Sequence, residues 1–132
     1  MKNFFVANLT AVVLMFGAIL PAQAGPTTFY LQNIVFTDGT RATGSFDYDA
    51  LTRQGSNFNI STLDGTLSAF TYTDANTGFY FGRGVGPNNF TLFAKNGSRY
   101  MNFSFANALT NAGGSWALNA ASSYECMNCG SY

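Results

Sequence analysis

Hydrophobic and polar residues alternate along several short stretches of the chain, the pattern of a strand with one buried face. In residues 41–49 the even positions are apolar or small and the odd positions are polar. Residues 57–61 repeat this, with Phe58 and Ile60 on one face, and so do residues 101–105. No comparable pattern has helical spacing, so the chain is predicted to be built from strands.

Turn residues separate these stretches at regular intervals. Asp38-Gly39 and Asn96-Gly97 are predicted to form two-residue hairpin turns in which both residues have positive φ. The turns divide the chain into eight predicted strands, at residues 28–37, 40–49, 56–62, 65–73, 78–84, 89–95, 98–106 and 115–125. This spacing predicts an all-β fold, an antiparallel β-sandwich or flattened barrel of about eight short strands, in a single domain at residues 25–132.

The first 24 residues have the layout of a secretory signal peptide. Lys2 is followed by an apolar run at residues 4–20, and Pro21 precedes the small residues of Ala22-Gln23-Ala24. We expect a signal-peptide helix at residues 1–24, cleaved between Ala24 and Gly25. A retained membrane anchor is the alternative, although the apolar run is at the short limit for a span. The sequence thus predicts export by the general secretory route to a secreted or cell-surface location, with no membrane attachment after cleavage.

Charge and composition narrow the function classes. Charged residues make up 9% of the chain, and without Lys2 there are five basic and six acidic residues. This weak charge predicts no binding of nucleic acid or of anionic lipid. The chain contains no histidine, which excludes Ser-His-Asp and Cys-His catalytic units. We expect no enzyme activity, no catalytic residues and no cofactor.

Cys126 and Cys129 are the only cysteines. In an exported protein such a pair predicts a structural disulfide. A redox Cys-x-x-Cys would need a thioredoxin-like βαβ pattern, and a zinc site would need two further ligands. No metal site is therefore predicted at the cysteines.

Two further groups are candidate binding residues, each with a structural alternative. Asp47 and Asp49 are candidate calcium ligands, but the pattern of a calcium loop is missing, and solvated or capping roles are the alternative. Tyr80, Tyr100 and Trp116 are candidate glycan-stacking residues, with packing in the core or across strands as the alternative.

Several motifs together resemble a known family. They are a strand ending at Phe36, the Asp38-Gly39 turn, the strand Gly44-Ser45-Phe46-Asp47-Tyr48-Asp49, the segment Asn57-Phe58-Asn59-Ile60 and the C-terminal Tyr124-Glu125-Cys126-Met127-Asn128-Cys129. The chain resembles the extracellular domain of bacterial PEP-CTERM proteins, the surface proteins sorted by exosortase. The resemblance covers most of residues 27–62 and 124–132 and implies export and placement at the surface or in the matrix, with no catalytic residues.

The sequence departs from that family at its C-terminus, where no Pro-Glu-Pro motif, apolar span or basic tail follows. The resemblance then implies a form without the sorting signal or one lacking a last strand. A missing strand would leave an open edge for self-association or for a partner's strand. We expect an exported structural or interaction protein of the bacterial cell surface or extracellular matrix. The alternative is a carbohydrate-binding module that binds extracellular polysaccharide with exposed aromatic residues.

Overall fold

The structure, a computed structural model, describes residues 25–81 and 88–129, with only the backbone of Phe81. This part of the chain contains eight strands and one short 3-10 helix at Ala120–Ser122. The strands are β1 (Thr27–Val35), β2 (Arg41–Asp49), β3 (Gln54–Leu63), β4 (Phe70–Thr73), β5 (Thr77–Phe81), β6 (Asn89–Ala94), β7 (Arg99–Ser104) and β8 (Tyr124–Met127). The all-β prediction is confirmed. The predicted signal peptide with Ala24, and positions 82–84 of the fifth predicted strand, lie outside the described residues.

The strands form two separate four-stranded antiparallel sheets, β1-β2-β3-β4 and β5-β6-β7-β8. Each strand pairs only with its neighbours in sequence, so each sheet is a meander with two edges. The sheets pack as a sandwich and do not close into a barrel, which decides between the two predicted architectures.

The core lies between the sheets and is rich in aromatic rings. Phe46 of β2 stacks on Phe90 of β6 with ring centroids 4.7 Å apart. The buried residues from both sheets are Phe36, Ala42, Phe46, Tyr48, Phe58, Ile60, Tyr72, Phe90, Leu92, Met101, Phe103, Phe105 and Leu109. In β2 and β3 these are the apolar positions of the alternating pattern, so the predicted inward faces of residues 41–49 and 57–61 are confirmed. Burying each large side chain contributes about 1.5–3 kcal/mol.

Strand β7 departs from the alternation because both of its faces are covered. Asn102 and Ser104 were expected to face solvent, yet they are 5% and 9% exposed. The Asn102 Nδ2 donates to the Ser122 carbonyl at 2.8 Å, and the Ser104 N–H donates to the Ser123 Oγ at 2.9 Å. Residues 119–123 therefore pack against the end of β7 and cover Asn102 and Ser104.

The predicted last strand, residues 115–125, is wrong over most of its length. Residues 106–117 are irregular, Phe105 and Leu118 form a single bridge, and the 3-10 helix follows. Only the four residues of β8 then form a regular strand. Residues 117–123 lack an apolar–polar alternation, and their hydrogen bonds go to the end of β7 instead of to a continuous ladder.

The fourth predicted strand, residues 65–73, begins later than expected, at Phe70. Residues 64–67 form bends instead. The Asp38 carboxylate accepts hydrogen bonds from the Thr66 N–H at 3.5 Å and the Thr66 hydroxyl at 3.0 Å. These contacts tie residues 64–67 to the β1–β2 turn and leave a short β4.

The two predicted hairpin turns are present, but with different backbone angles. Among their central residues only Gly39 (φ +88°) and Gly97 (φ +76°) have positive φ, and Asp38 and Asn96 do not. Each glycine N–H donates back three residues, to Phe36 at 3.0 Å in the first turn. This is a type I turn followed by a left-handed glycine, which connects the strands by a longer loop than expected.

Gly44 allows the close approach of two central strands. Its φ is +120°, and a Cβ there would collide with the backbone oxygen of Asn59 on β3. A glycine is therefore required at this point of β2.

Candidate functional site

The candidate residues Tyr80 and Tyr100 lie on the outer face of the second sheet, linked by Phe93. The Tyr80 and Phe93 rings stack with centroids 4.6 Å apart, and Phe93 and Tyr100 lie 6.5 Å apart. The Phe93 ring also covers Gly78, where a Cβ would collide with it. We call Tyr80, Phe93 and Tyr100 the outer aromatic row; Phe93 was not among the candidates taken from the sequence.

The geometry of the outer aromatic row favours packing across strands. Sugars stack on exposed ring faces, but Tyr80 and Phe93 turn one face each toward the other at an interplanar angle of 19°. All three rings are half-buried. Cross-strand pairs of this kind stabilise a sheet by about 0.2–1 kcal/mol each. A glycan-stacking role for Tyr80 and Tyr100 stays a prediction.

Trp116 lies elsewhere, in the irregular segment of the chain that connects β7 to β8, and it packs against the first sheet. Its ring meets Phe29 of β1 edge to face at 5.0 Å, and its indole N–H donates to the Ala108 carbonyl at 3.1 Å. The structure therefore brings together two of the three predicted aromatic residues and separates the third.

A groove of about 390 Å³ runs beside Trp116, a volume within the usual range for ligand pockets. One side is formed by residues 27–34 of β1, and the other by residues 113–116 and Leu118. Phe46, Phe105 and Leu109 complete its lining. We call this the β1 groove. None of its lining residues is charged.

Asn111 fixes the segment that forms the far side of the β1 groove. Its carbonyl accepts a hydrogen bond from the Thr27 hydroxyl at 2.9 Å, and its side-chain oxygen accepts one from the Ala50 N–H at 2.6 Å. Its Nδ2 donates to the Asp49 carboxylate at 2.9 Å. These hydrogen bonds attach this segment to the start of β1 and to the end of β2. The sequence has many Asn residues in its loops, and it does not indicate which of them attaches this segment to the first sheet.

The edge of β1 is accessible along the groove. Within the described residues β1 pairs with β2 on one side and with no strand on the other. Eight consecutive residues line the groove, so the main chain and both faces of the strand border it. A bulge between Leu31 and Ile34, with Asn33 at φ +53°, interrupts the register with β2.

The candidate calcium ligand Asp47 is engaged by protein donors. Its carboxylate accepts the Thr28 hydroxyl at 2.6 Å and the Asn57 Nδ2 at 2.7 Å. These hydrogen bonds hold the pKa of Asp47 below its usual value, outweighing the effect of burial.

Asp49 has a separate set of partners. Its carboxylate accepts hydrogen bonds from the Leu51 N–H at 3.0 Å and the Thr52 hydroxyl at 2.9 Å, in addition to the one from Asn111. Asp49 thereby caps the turn after β2. The hydrogen bond from Asn111, followed by those from Leu51 and Thr52, lowers the pKa of Asp49. In residues 25–81 and 88–129 no three His, Cys, Asp or Glu side chains form a group that could hold a metal ion. Calcium binding by Asp47 and Asp49 stays a prediction, and the capping role is the one seen at Asp49.

A buried ion pair that the sequence did not suggest lies within the second sheet, and its carboxylate accepts hydrogen bonds from the first sheet. The Arg99 Nε of β7 donates to the Glu125 Oε1 of β8 at 2.8 Å. The same oxygen accepts the Tyr72 hydroxyl of β4 at 2.7 Å and the Thr62 hydroxyl of β3 at 3.0 Å. The partners are 26 to 63 positions from Glu125, which is why local patterns could not identify them.

Both side chains of this ion pair are almost completely shielded from solvent. The Glu125 side chain is 0% exposed, and its Oε2 is buried without a hydrogen-bond partner. The Arg99 Nη2 donates to the Ser68 carbonyl at 2.6 Å, and the guanidinium lies 4.9 Å from the Phe70 ring centroid. Burial, and next the hydrogen bond to Glu125, raise the pKa of Tyr72, which keeps its hydroxyl protonated as a donor.

A disulfide joins Cys126 and Cys129, as predicted. Cys126 lies on β8 opposite Tyr100, so the disulfide borders the outer aromatic row. The small loop that it closes begins directly after Glu125. Disulfides persist in oxidising compartments outside the cytoplasm, and this one is compatible with an extracellular protein.

Gly25, the predicted first residue after cleavage, is exposed and precedes β1 by two positions. None of the helical structure in residues 25–81 and 88–129 is long and apolar enough to cross a membrane. Comparisons with family models, curated proteins and solved structures gave no match.

Proposed function

We propose that the chain is an exported structural or interaction domain of the bacterial cell surface or extracellular matrix, without a catalytic role. Three features support this proposal. Residues 1–24 have the layout of a signal peptide, Cys126 and Cys129 form a disulfide, and the motifs of residues 27–62 resemble the extracellular domain of PEP-CTERM proteins.

The observation that carries the interaction role is the β1 groove. It combines an accessible strand edge with apolar and polar neutral side chains. A main-chain edge beside an apolar surface is a recurrent way for one macromolecule to bind another. The domain therefore contacts its partner through β1.

The export step is tested by the intact mass of the protein recovered from outside its native cells, with and without reduction. We expect the mass of residues 25–132, increasing by about two hydrogens on reduction because one disulfide opens. A product that retains residues 1–24, or one confined to the cytoplasm, would contradict the proposal.

A second candidate function is binding of a neutral polysaccharide in the β1 groove. The specific observation in its favour is that Trp116 and Tyr30 line the groove together with the amides of Gln32 and Asn33. Aromatic rings and neutral hydrogen-bonding groups suit an uncharged sugar chain. On this second proposal Trp116, one of the three predicted glycan-stacking residues, acts at a site separate from the outer aromatic row.

Titration with neutral polysaccharides tests this second candidate, because Trp116 is the only tryptophan and its emission reports on the groove. Binding should shift the Trp116 emission. The variant Tyr30→Ala should bind the polysaccharide about 10-fold more weakly, because it loses one aromatic contact. Tyr80→Ala in the outer aromatic row is the matched control and should bind normally. No binding, or a loss with Tyr80→Ala and not with Tyr30→Ala, would exclude the groove as a glycan site.

A further inference from the structure

We propose that the partner of β1 is a second copy of this chain, whose β1 pairs with it in antiparallel orientation about a two-fold axis. The result is a dimer in which two four-stranded sheets join into one sheet of eight. This inference rests on the interaction role proposed above and names the partner.

The length of β1 distinguishes it from the other sheet edges. The edge strands β4, β5 and β8 have 4, 5 and 4 residues, whereas β1 has 9. Short edge strands offer few hydrogen-bonding groups to an incoming strand, which protects them from pairing. Among the edges of the described sheets β1 is the longest, and it is the one that borders the β1 groove.

The side chains of β1 permit pairing with an identical strand. The sequence Thr27–Val35 contains no charged residue and no proline, the two residue types that most often block a sheet edge. Two identical strands therefore meet without charge repulsion. Tyr30 is 71% exposed and Val35 is 45% exposed, so apolar surface is available for burial in the dimer.

The bulge after Leu31 sets the register. Regular pairing with β2 runs from Thr27 to Leu31, and the bulge then changes the direction of the strand edge. A two-fold axis at Phe29 uses only this regular part and pairs Thr27 of one copy with Leu31 of the other. On the outer face Thr28 then lies opposite Tyr30 of the second copy, and the two Tyr30 side chains are diagonal neighbours about 7–8 Å apart.

The far side of the β1 groove leaves room for this pairing. Trp116 packs on the inward-facing Phe29, and Leu118 bridges Phe105, which continues β7 of the second sheet. Trp116 and Leu118 therefore lie toward the layer of the second sheet. A strand added to β1 would extend the first sheet above this segment, and its inward side chains would face the apolar lining of the groove.

The charge-swap pair Tyr30→Lys and Tyr30→Glu tests the dimer and its register. By analytical ultracentrifugation, the exported protein should dimerise with increasing concentration. Each variant alone should dimerise at least about 10-fold more weakly, because like charges meet near the axis. An equimolar mixture should associate at least about 10-fold more tightly than either variant alone, which requires the two positions to be close.

Met127→Lys is the matched control, since Met127 is a 46% exposed apolar residue on the edge strand β8. It should dimerise normally. Circular dichroism and Trp116 emission confirm that every variant is folded. A wild-type protein that stays monomeric at all concentrations, a mixture no tighter than its components, or a dimer lost with Met127→Lys would overturn the proposal. A protein that stays monomeric and binds neutral polysaccharide would assign the groove to a glycan. The intact-mass measurement tests export and does not depend on the outcome of the dimer experiment.

Discussion

Two carboxylates of this protein pair with arginines in opposite surroundings. Glu125 is fully buried beside Arg99, whereas Asp64 lies 3.8 Å from the Arg41 Nε with both side chains more than 60% exposed. Removing one partner of a buried pair leaves an uncompensated charge, but exposed pairs contribute little because water screens them.

Glu125→Gln should therefore lower the free energy of unfolding by about 3–5 kcal/mol, because it leaves the Arg99 guanidinium buried without a counter-charge. Asp64→Asn makes the same chemical change at the surface and should cost less than about 1 kcal/mol. Urea denaturation of both variants measures the difference. Equal losses for the two would show that burial of the Arg99–Glu125 pair does not raise the cost of removing its negative charge.

Asp47 makes stability depend on acid pH. Its pKa in the folded protein lies below the usual 3.8, so the carboxylate stabilises the fold above the unfolded-state pKa. That stabilisation is lost as the pH falls through the lowered folded-state pKa, which places the decline below about pH 4.

The variant Asp47→Asn should have a free energy of unfolding about 1 kcal/mol lower at pH 7, because Thr28 and Asn57 no longer donate to a charged carboxylate. Its stability should also decline less than that of the wild type as the pH falls below about 4, where Asp47 takes up its proton. Thermal melting across this range measures both effects. A parallel decline of the two proteins would mean that Asp47 does not contribute to acid unfolding.

At the scale of the strands, the outer aromatic row depends on a glycine. Gly78 leaves room on β5 for the Phe93 ring, which in turn stacks on Tyr80. An aromatic ring that covers a glycine on a neighbouring strand restores the side-chain packing that the glycine lacks.

Gly78→Ala should displace the Phe93 ring and destabilise the protein by about 1–3 kcal/mol, a typical cost of overpacking. In the double variant with Phe93→Ala the loss should be smaller than the sum of the single losses, since the two residues touch. Gly25→Ala, where nothing lies within 4 Å of an added Cβ, is the control. Additive losses in chemical denaturation would show that the ring does not occupy the space above Gly78.

The strands that the sequence predicted well are those with one buried face. In β2 and β3 the period of two follows burial, so local alternation located the inward residues Phe46, Tyr48, Phe58 and Ile60. The strand at β7 was predicted correctly, but its polar residues Asn102 and Ser104 are buried too, because residues 119–123, predicted as strand, pack against them. Contacts of this kind depend on the packing of distant parts of the chain.

The candidate site divides in the same way. Cysteine count predicted the disulfide, and aromatic content selected Tyr80, Tyr100 and Trp116. The β1 groove could not be predicted, because it is formed by β1 and a segment about 80 positions later in the chain, fixed by Asn111 on Thr27. Within the described residues, the structure has an accessible edge at β1, the first strand of the sandwich.

At the scale of the whole molecule, two meanders give the sandwich four edges, of which the long, uncharged β1 borders a groove. The hydrogen bonds from Thr62 and Tyr72 to the buried Glu125 connect the sheets on the side of β3 and β4, away from β1. We therefore expect β1 to bind a partner without unfolding of the sandwich.

Hydrogen exchange of the exported protein, measured by mass spectrometry at low and high protein concentration, tests most directly that β1 is the contact surface. We predict that backbone amides of residues 27–31 become more protected at high concentration, while those of β5 and β8 exchange equally at both. Exchange in residues 27–31 that does not change with concentration, or new protection confined to β5 or β8, would contradict the account.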